Sequence, residues 1–411
     1  MYNRFLSEQI VESLHDCPVV LLNGARQTGK STLAQHLLEQ GHVDKYLSLD
    51  DLTVLAAARS DPVGFIEALE GRVVIDEVQR APELFLPIKA RVDRTGERGR
   101  FLLTGSANVM VLPRLSDALT GRLAIHTLGP LTQDELSRRP AAFLDALFAD
   151  RARWVASDQE PVRGLLARVV RGGFPEALAR TRPRRRQAWF EGYLTTLVQR
   201  DIRDVAQIEG TTDIPRLLRL LAARVGGLMN FAHLSRDCGL PQSTLKRYLT
   251  HLQALFLLEL LPAWSANVKR RLVRAPKVHL VDSGLAAHLL GRDRLDTTHH
   301  LTGALLESFV HGELRRQAGW HLRQLHFSHF RTHGNREVDI VIEAMDGTLA
   351  GVEVKLGAVV RSDDLEGLKT LRDVAPQRFI RGVVLYGGGQ VVPLGGDLTA
   401  VPLSALWTGS D

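Results

Sequence analysis

Residues 24 to 31, Gly24-Ala25-Arg26-Gln27-Thr28-Gly29-Lys30-Ser31, fit the pattern G-x-x-x-x-G-K-[ST] at every fixed position. Glycines at both ends free the backbone to turn successive N–H groups inward onto phosphate oxygens. Lys30 then reaches the β- and γ-phosphates, the Ser31 hydroxyl ligates magnesium, and Thr32 continues the binding set onto a helix. A second group, Val73-Val74-Ile75-Asp76-Glu77, is an apolar run ending in two acids, the form of a Walker B element. Asp76 would hold the metal through water and Glu77 would polarise the attacking water. A third group lies near the other end: Asp339, then Glu353-Val354-Lys355, with Glu307 upstream. Carboxylates on one side of a hairpin can hold magnesium, and a lysine beside them can activate water, the Asp…Glu-x-Lys pattern of PD-(D/E)xK nucleases.

These residues require particular elements. The loop needs a buried strand before it and a helix after it, and residues 19–22 and 32–39 read that way. Further strands are expected at 46–49, 73–75, 101–103 and 123–126, alternating with helical stretches, which implies a parallel α/β sheet. The run 101–108 ends in small polar residues, so Thr104, Ser106 or Asn108 is placed to sense a γ-phosphate, with Asn108 and Ser106 preferred. The expected organisation is an ATPase core over 1–140, a helical lid or connector over 141–225, a winged-helix-like module over 226–296 and an α/β nuclease-like domain over 297–411. Arg182-Pro183-Arg184-Arg185-Arg186 reads as an exposed connector, and 338–342 and 349–355 as the strands of the last domain.

Within 231–252 the rhythm is that of a helix-turn-helix. One helix ends near Cys238-Gly239 and a second begins near Gln242-Ser243. Leu245, Leu249 and Leu252 share a face, leaving Lys246, Arg247 and His251 outward, and Lys269-Arg270-Arg271 with Arg274 could touch phosphates from a wing. The bland reading is a winged-helix fold used for protein packing or as a rigid spacer.

Of 411 residues, 45% are hydrophobic and 24% charged, ordinary values for a folded chain of several domains. A net charge of +6 and a pI near 9.5 favour anionic partners. Cys17 and Cys238 form no framework, and no early apolar run resembles a signal peptide, so a reducing cytoplasm is the expected setting. Residues 254–261 are too short an apolar run to span a bilayer.

The succession of the phosphate loop, Leu49-Asp50-Asp51, Val74-Ile75-Asp76-Glu77-Val78-Gln79, Leu103-Thr104-Gly105-Ser106-Ala107-Asn108 and Leu119-Thr120-Gly121-Arg122-Leu123 resembles AAA+-type ATPases of the DUF4143 group. The resemblance extends to Gly172-Gly173-Phe174-Pro175 and to residues 193–203, and so covers nearly the whole chain. It departs at the second loop position, where the group usually has proline and this chain has Ala25, a position without catalytic duty. The resemblance implies Arg122 as an arginine finger acting in cis or from a neighbouring subunit, with Arg200 and Arg203 in reserve. A glutamate directly after the aspartate favours hydrolysis over small-molecule phosphotransfer, and without an Asn-Lys-x-Asp motif ATP is favoured over GTP.

The resulting expectation is a magnesium-dependent ATPase coupled to a DNA-directed, nuclease-like carboxyl-terminal domain that acts on duplex or branched DNA. The alternative is an ATP-dependent adaptor that grips a partner protein through an inactive nuclease-like fold. Homo-oligomers are compatible with either.

Overall fold

The computed structural model describes residues 2–106, 119–156, 160–197, 213–267, 271 and 274–409. They fall into two compact units, one made of 3–130 with 252–257 and the other of 131–251 with 258–411.

The first unit is built on a five-stranded parallel sheet, β1 (Val19–Asn23), β2 (Lys45–Ser48), β3 (Val73–Asp76), β4 (Phe101–Gly105) and β5 (Leu123–Thr127), in the order β2-β3-β4-β1-β5. The inner strands β1, β3 and β4 are buried throughout, which is why they read as unbroken apolar runs. Val19, Leu21, Val73, Ile75, Phe101 and Leu103 join one core with Leu55, Ile66, Phe85 and Ile88 from helices Leu52–Ser60, Pro62–Glu67 and Phe85–Thr95. By the two-residue period Val20, Leu22, Val74 and Leu102 point the other way, and they too are buried. Helices Leu6–Asp16 and Lys30–Glu39 also pack on the sheet. Asp51 caps its helix by accepting from Thr53 N (2.7 Å) and Val54 N (3.2 Å).

Parallel pairing aligns the carboxyl ends of the strands. Asn23 lies beside Gly105 on one side and Thr127 on the other. Because β4 lies between β1 and β3, the loop after β1 and the acids ending β3 both flank its polar carboxyl end.

The second unit begins with helices, among them Val162–Arg171, Pro183–Thr196 and Asp213–Ala222. The arginine stretch expected as a connector is instead the first turn of Pro183–Thr196, with proline at its start and Arg186 buried. The helices Phe231–Cys238 and Gln242–Ala254 follow, joined through Gly239 at φ +71°. Asn230 caps the first by accepting from His233 N at 2.9 Å. Strands β6 (Leu258–Leu261) and β7 (Lys277–Leu280) then pair antiparallel.

The last part is a mixed sheet of β8 (Leu325–Arg331), β9 (Glu337–Ala344), β10 (Leu349–Lys355), β11 (Phe379–Tyr386), β12 (Val392–Pro393) and β13 (Leu398–Pro402), ordered β12-β13-β11-β10-β9-β8. Val338, Val341, Leu349, Phe379 and Val384 form its core with Leu368 and Leu371 of helix Glu366–Val374, and helix Leu301–Gln317 packs on β10. Among the described residues, no helix is long and apolar enough to cross a membrane.

Candidate functional site

The loop between β1 and helix Lys30–Glu39 is held by contacts that leave little freedom. Gly24 has φ +140°, and a Cβ there would lie 2.2 Å from the Leu128 carbonyl oxygen. Gly29 enters the helix at φ +97°, a left-handed angle that favours glycine. The Thr28 hydroxyl donates to Ala25 O at 2.9 Å. Arg4, outside the motif, donates to Thr28 O (2.7 Å) and Gly129 O (2.8 Å), fastening the loop from behind. The Lys30 ammonium turns into the loop and donates to the carbonyls of Gly24 and Ala25, both at 2.9 Å. Arg26 is half-buried, while Gln27 and Thr32 are exposed.

Asp76 ends β3 and gathers hydroxyls. Ser31 donates to its two oxygens at 3.0 and 3.1 Å, Tyr46 donates at 2.7 Å, and Thr104 donates as well. Burial, together with the hydrogen bond to Asp76 and its charge, pushes the Tyr46 phenol above its ordinary range, so it stays a donor. Glu77 adopts a left-handed backbone at φ +59°, unusual for a non-glycine residue and common at functional turns. Its N–H donates to Thr104 Oγ1 at 3.1 Å. Its carboxylate accepts from Gln79 Nε2 and from Ser106 Oγ (3.3 Å), and Gln79 also donates to Ser106 at 3.0 Å.

The structure thus brings Lys30, Ser31, Asp76, Glu77, Thr104 and Ser106 to one edge of the sheet, together with Tyr46, Gln79 and Arg4, which sequence reasoning did not nominate. Asn108, Arg200 and Arg203 lie outside the described residues. Arg122 is not brought to this edge. Its carbonyl accepts from Val19 N at 3.2 Å, at the amino end of β1. That is a strand's length, about 13 Å at roughly 3.3 Å per residue, from the loop. Its guanidinium is paired with Asp93, 3.0 Å to Oδ2, and donates to Thr120 O at 3.0 Å. The expectation of a finger acting in cis is therefore corrected, because Arg122 precedes β5 whereas the phosphate loop follows β1.

In the second unit Asp339, Glu353 and Lys355 converge as their strands require, and Glu307 joins from helix Leu301–Gln317. Their centre, however, holds Lys277 from β7, only 1% exposed. Its Nζ lies 2.8 Å from Glu307, 2.6 Å from Glu337 and 3.0 Å from Asp339. The other Asp339 oxygen accepts from Val354 N at 3.0 Å. Lys355 pairs with Glu353 at 2.9 Å and Asp364 at 3.5 Å, while Glu353 Oε2 is buried without a hydrogen-bond partner. Burial, and after it the charge of Asp339, holds the carboxyls of Glu307 and Glu353 well above their usual range. Burial would pull the Lys277 ammonium down, but the acids around it raise it instead. Among the described residues no three His, Cys, Asp or Glu side chains are grouped to hold a metal. The residues expected as a metal set, Glu307, Asp339 and Glu353, lie together, with the ammonium groups of Lys277 and Lys355 against their oxygens.

In the helix-turn-helix-like segment Lys246 and Arg247 are exposed, while Leu245 and Leu249 are buried. Of the basic residues beyond it, Arg271 pairs with Glu343 at 2.9 Å and Arg274 donates to Arg331 O at 3.0 Å, so both are turned to the protein. Lys269 and Arg270 lie outside the described residues.

A five-stranded parallel sheet with a phosphate loop after β1 and paired acids after β3 defines the P-loop ATPase class. An AAA domain matches over residues 16–137, and domains of unknown function, DUF8612 and DUF4143, match over 163–296 and 302–406. Uncharacterized proteins of Mycobacterium bovis and Mycobacterium tuberculosis are each 30% identical over 409 residues, covering 98% of this chain and 84% of theirs. One of Haemophilus influenzae is 23% identical over 332 residues, covering 75% of this chain and 77% of its own. The chain belongs to the family of these mycobacterial proteins, and its own domain matches make it an AAA-type ATPase with a DUF4143 region. Among solved structures, a Walker-type ATPase of Pyrococcus abyssi aligns with a TM-score of 0.42 at 16% identity, over 71% of this chain and 96% of that one.

Proposed function

We propose that this chain is a magnesium-dependent ATP hydrolase whose turnover drives a DNA-directed carboxyl-terminal half. The observation that carries this is the array at the sheet's edge, with Ser31 on Asp76 and Glu77 held by Gln79 and Ser106. Loop N–H groups and Lys30 bind the phosphates. The Ser31 hydroxyl and Asp76 carboxylate are hard oxygen donors 3.0 Å apart, a set that fits magnesium. Bound there, magnesium would neutralise phosphate charge. Glu77 accepts a proton from the attacking water, and Gln79 and Ser106 fix the direction its carboxylate faces. Arg122 fits this scheme as a finger lent to a neighbouring subunit, and Asn108 remains the preferred further sensor.

Glu77→Gln should leave ATP binding intact and lower turnover on the order of 100-fold or more. Binding of a fluorescent ATP analogue, read beside phosphate release, checks both halves. Unchanged hydrolysis removes Glu77 from the mechanism.

For the carboxyl-terminal half, Lys277 within the acids supports the non-cutting reading: a nuclease-like fold retained as a grip. Exposed Lys246 and Arg247 support duplex contact through a winged-helix-like module. The cutting reading, with Asp339, Glu353 and Lys355 as its catalytic set, is tested by incubating DNA with wild type in magnesium. Cleavage lost in Asp339→Ala would reinstate it.

A further inference from the structure

We propose that Lys277 is a built-in cation standing in for a divalent metal, so that the carboxylate cluster of the second unit is a metal site closed by its own chain. This rests on reading the domain as non-cutting. Four carboxylates, Glu307, Glu337, Asp339 and Glu353, meet the ammonium groups of Lys277 and Lys355, and Glu337 also faces the Arg331 guanidinium at 3.4 Å. Glu353 Oε2 lies buried with no hydrogen-bond partner on a side chain 8% exposed. A buried acid oxygen left without a partner is costly, and a divalent ion beside it would relieve that cost.

The carboxylates already surround one cation, the Lys277 ammonium. Carboxylates from a helix and from β9 converge within 3.0 Å of one buried point, the Lys277 Nζ. Asp339 is held by the Val354 N–H, so its free oxygen keeps its aim without the lysine. Lys277 arrives from a different strand pair, β6–β7, and is itself only 1% exposed. Removing its charge leaves Glu307, Glu337 and Asp339 facing one another with the space of the ammonium and stem between them. Oxygen donors completed by water suit Mn2+ or Mg2+.

The test uses the full chain without nucleotide and Mn2+ as the probe, with free Mn2+ followed by electron paramagnetic resonance. Wild type should bind no Mn2+ in an Asp339-dependent way. Lys277→Ala and the longer, neutral Lys277→Gln should each gain a saturable Mn2+ site that adding Asp339→Asn removes. Folded variants that gain no site overturn the proposal, as does Asp339-dependent Mn2+ binding by wild type. Should both variants unfold without metal, folding restored by millimolar Mn2+ supports the proposal, and chains that stay unfolded count against it. Metal-dependent DNA cutting by wild type would sink the non-cutting reading as well. A Lys277→Ala chain that binds no Mn2+, beside a wild type that cuts nothing, sinks the stand-in alone.

Discussion

Gly24 lies against the backbone that follows β5: a methyl group there would lie 2.2 Å from the Leu128 carbonyl oxygen, at a φ of +140° that side chains rarely adopt. Neither the backbone oxygen nor the angle can yield without moving the loop. Gly24→Ala should therefore cost about 1–3 kcal/mol of stability and weaken ATP binding at least tenfold. Thermal melts with and without ATP check it, and a variant that binds normally would mean that the loop tolerates the shift. Gln79→Ala should leave nucleotide affinity near wild type and lower kcat on the order of 10- to 100-fold, because Glu77 loses a donor that fixes its aim. A change confined to KM would instead place Gln79 in binding. Lys30, Ser31, Asp76 and Glu77 were legible because their chemistry is written into a local pattern. Tyr46, Gln79 and Arg4 were not. A tyrosine in a short strand or an arginine near the start carries no signal until the fold sets it against Asp76 or Thr28.

At the scale of elements, the strands of the first sheet could be found from apolar runs, but not their order, which decides that β4 lies between β1 and β3. That order also explains Arg122: preceding β5 puts a residue at the amino edge, a fact invisible in its spacing from the loop. Strand β7 is the sharper lesson. In sequence Lys277-Val278-His279-Leu280 is a modest polar–apolar alternation, yet all four side chains are buried, placing Lys277 among acids and His279 on His311 with ring centroids 4.3 Å apart. His311 also faces Glu259 at 3.8 Å, with Arg315, Arg316 and Lys277 nearby. Burial, aided by those cations, lowers the His311 pKa to about 3. As pH falls below about 6.5 the unfolded chain takes up a proton that the folded chain refuses. Stability should then fall by up to about 1.4 kcal/mol per pH unit for this group until pH nears its folded value. Glu313, raised to about 7 by burial, works in the opposite sense, since its protonated form is favoured by the fold. It is common to wild type and a His311→Phe variant, so the difference between them isolates the histidine. Denaturant midpoints measured from pH 7 to 4 should decline less steeply in the variant, and parallel slopes would remove His311 as a source of acid sensitivity.

Over the whole chain, the charge of +6 and pI near 9.5 set only a bias toward anionic partners. That bias does not distinguish a nucleic-acid grip from a basic surface that binds nothing in particular, and the turn of Arg271 and Arg274 toward protein partners narrows the basic surface left to contact a duplex. Lys246 and Arg247 are the described basic pair of that segment that sequence and exposure both nominate. If they meet phosphates, the logarithm of DNA affinity should fall linearly with the logarithm of salt, and replacing both with alanine should reduce that slope by about one to two. The same DNA should raise ATP turnover in wild type if hydrolysis at the sheet's edge serves the second unit. Turnover measured with duplex, branched and single-stranded DNA, in wild type and in the Lys246→Ala/Arg247→Ala chain, joins the two questions. Stimulation that disappears with the double substitution ties the ATPase to DNA through this helix, whereas stimulation that survives moves the contact elsewhere. Turnover indifferent to every DNA, in a chain that also shows no salt-dependent binding, would turn the reading to a partner protein gripped by the carboxyl-terminal half.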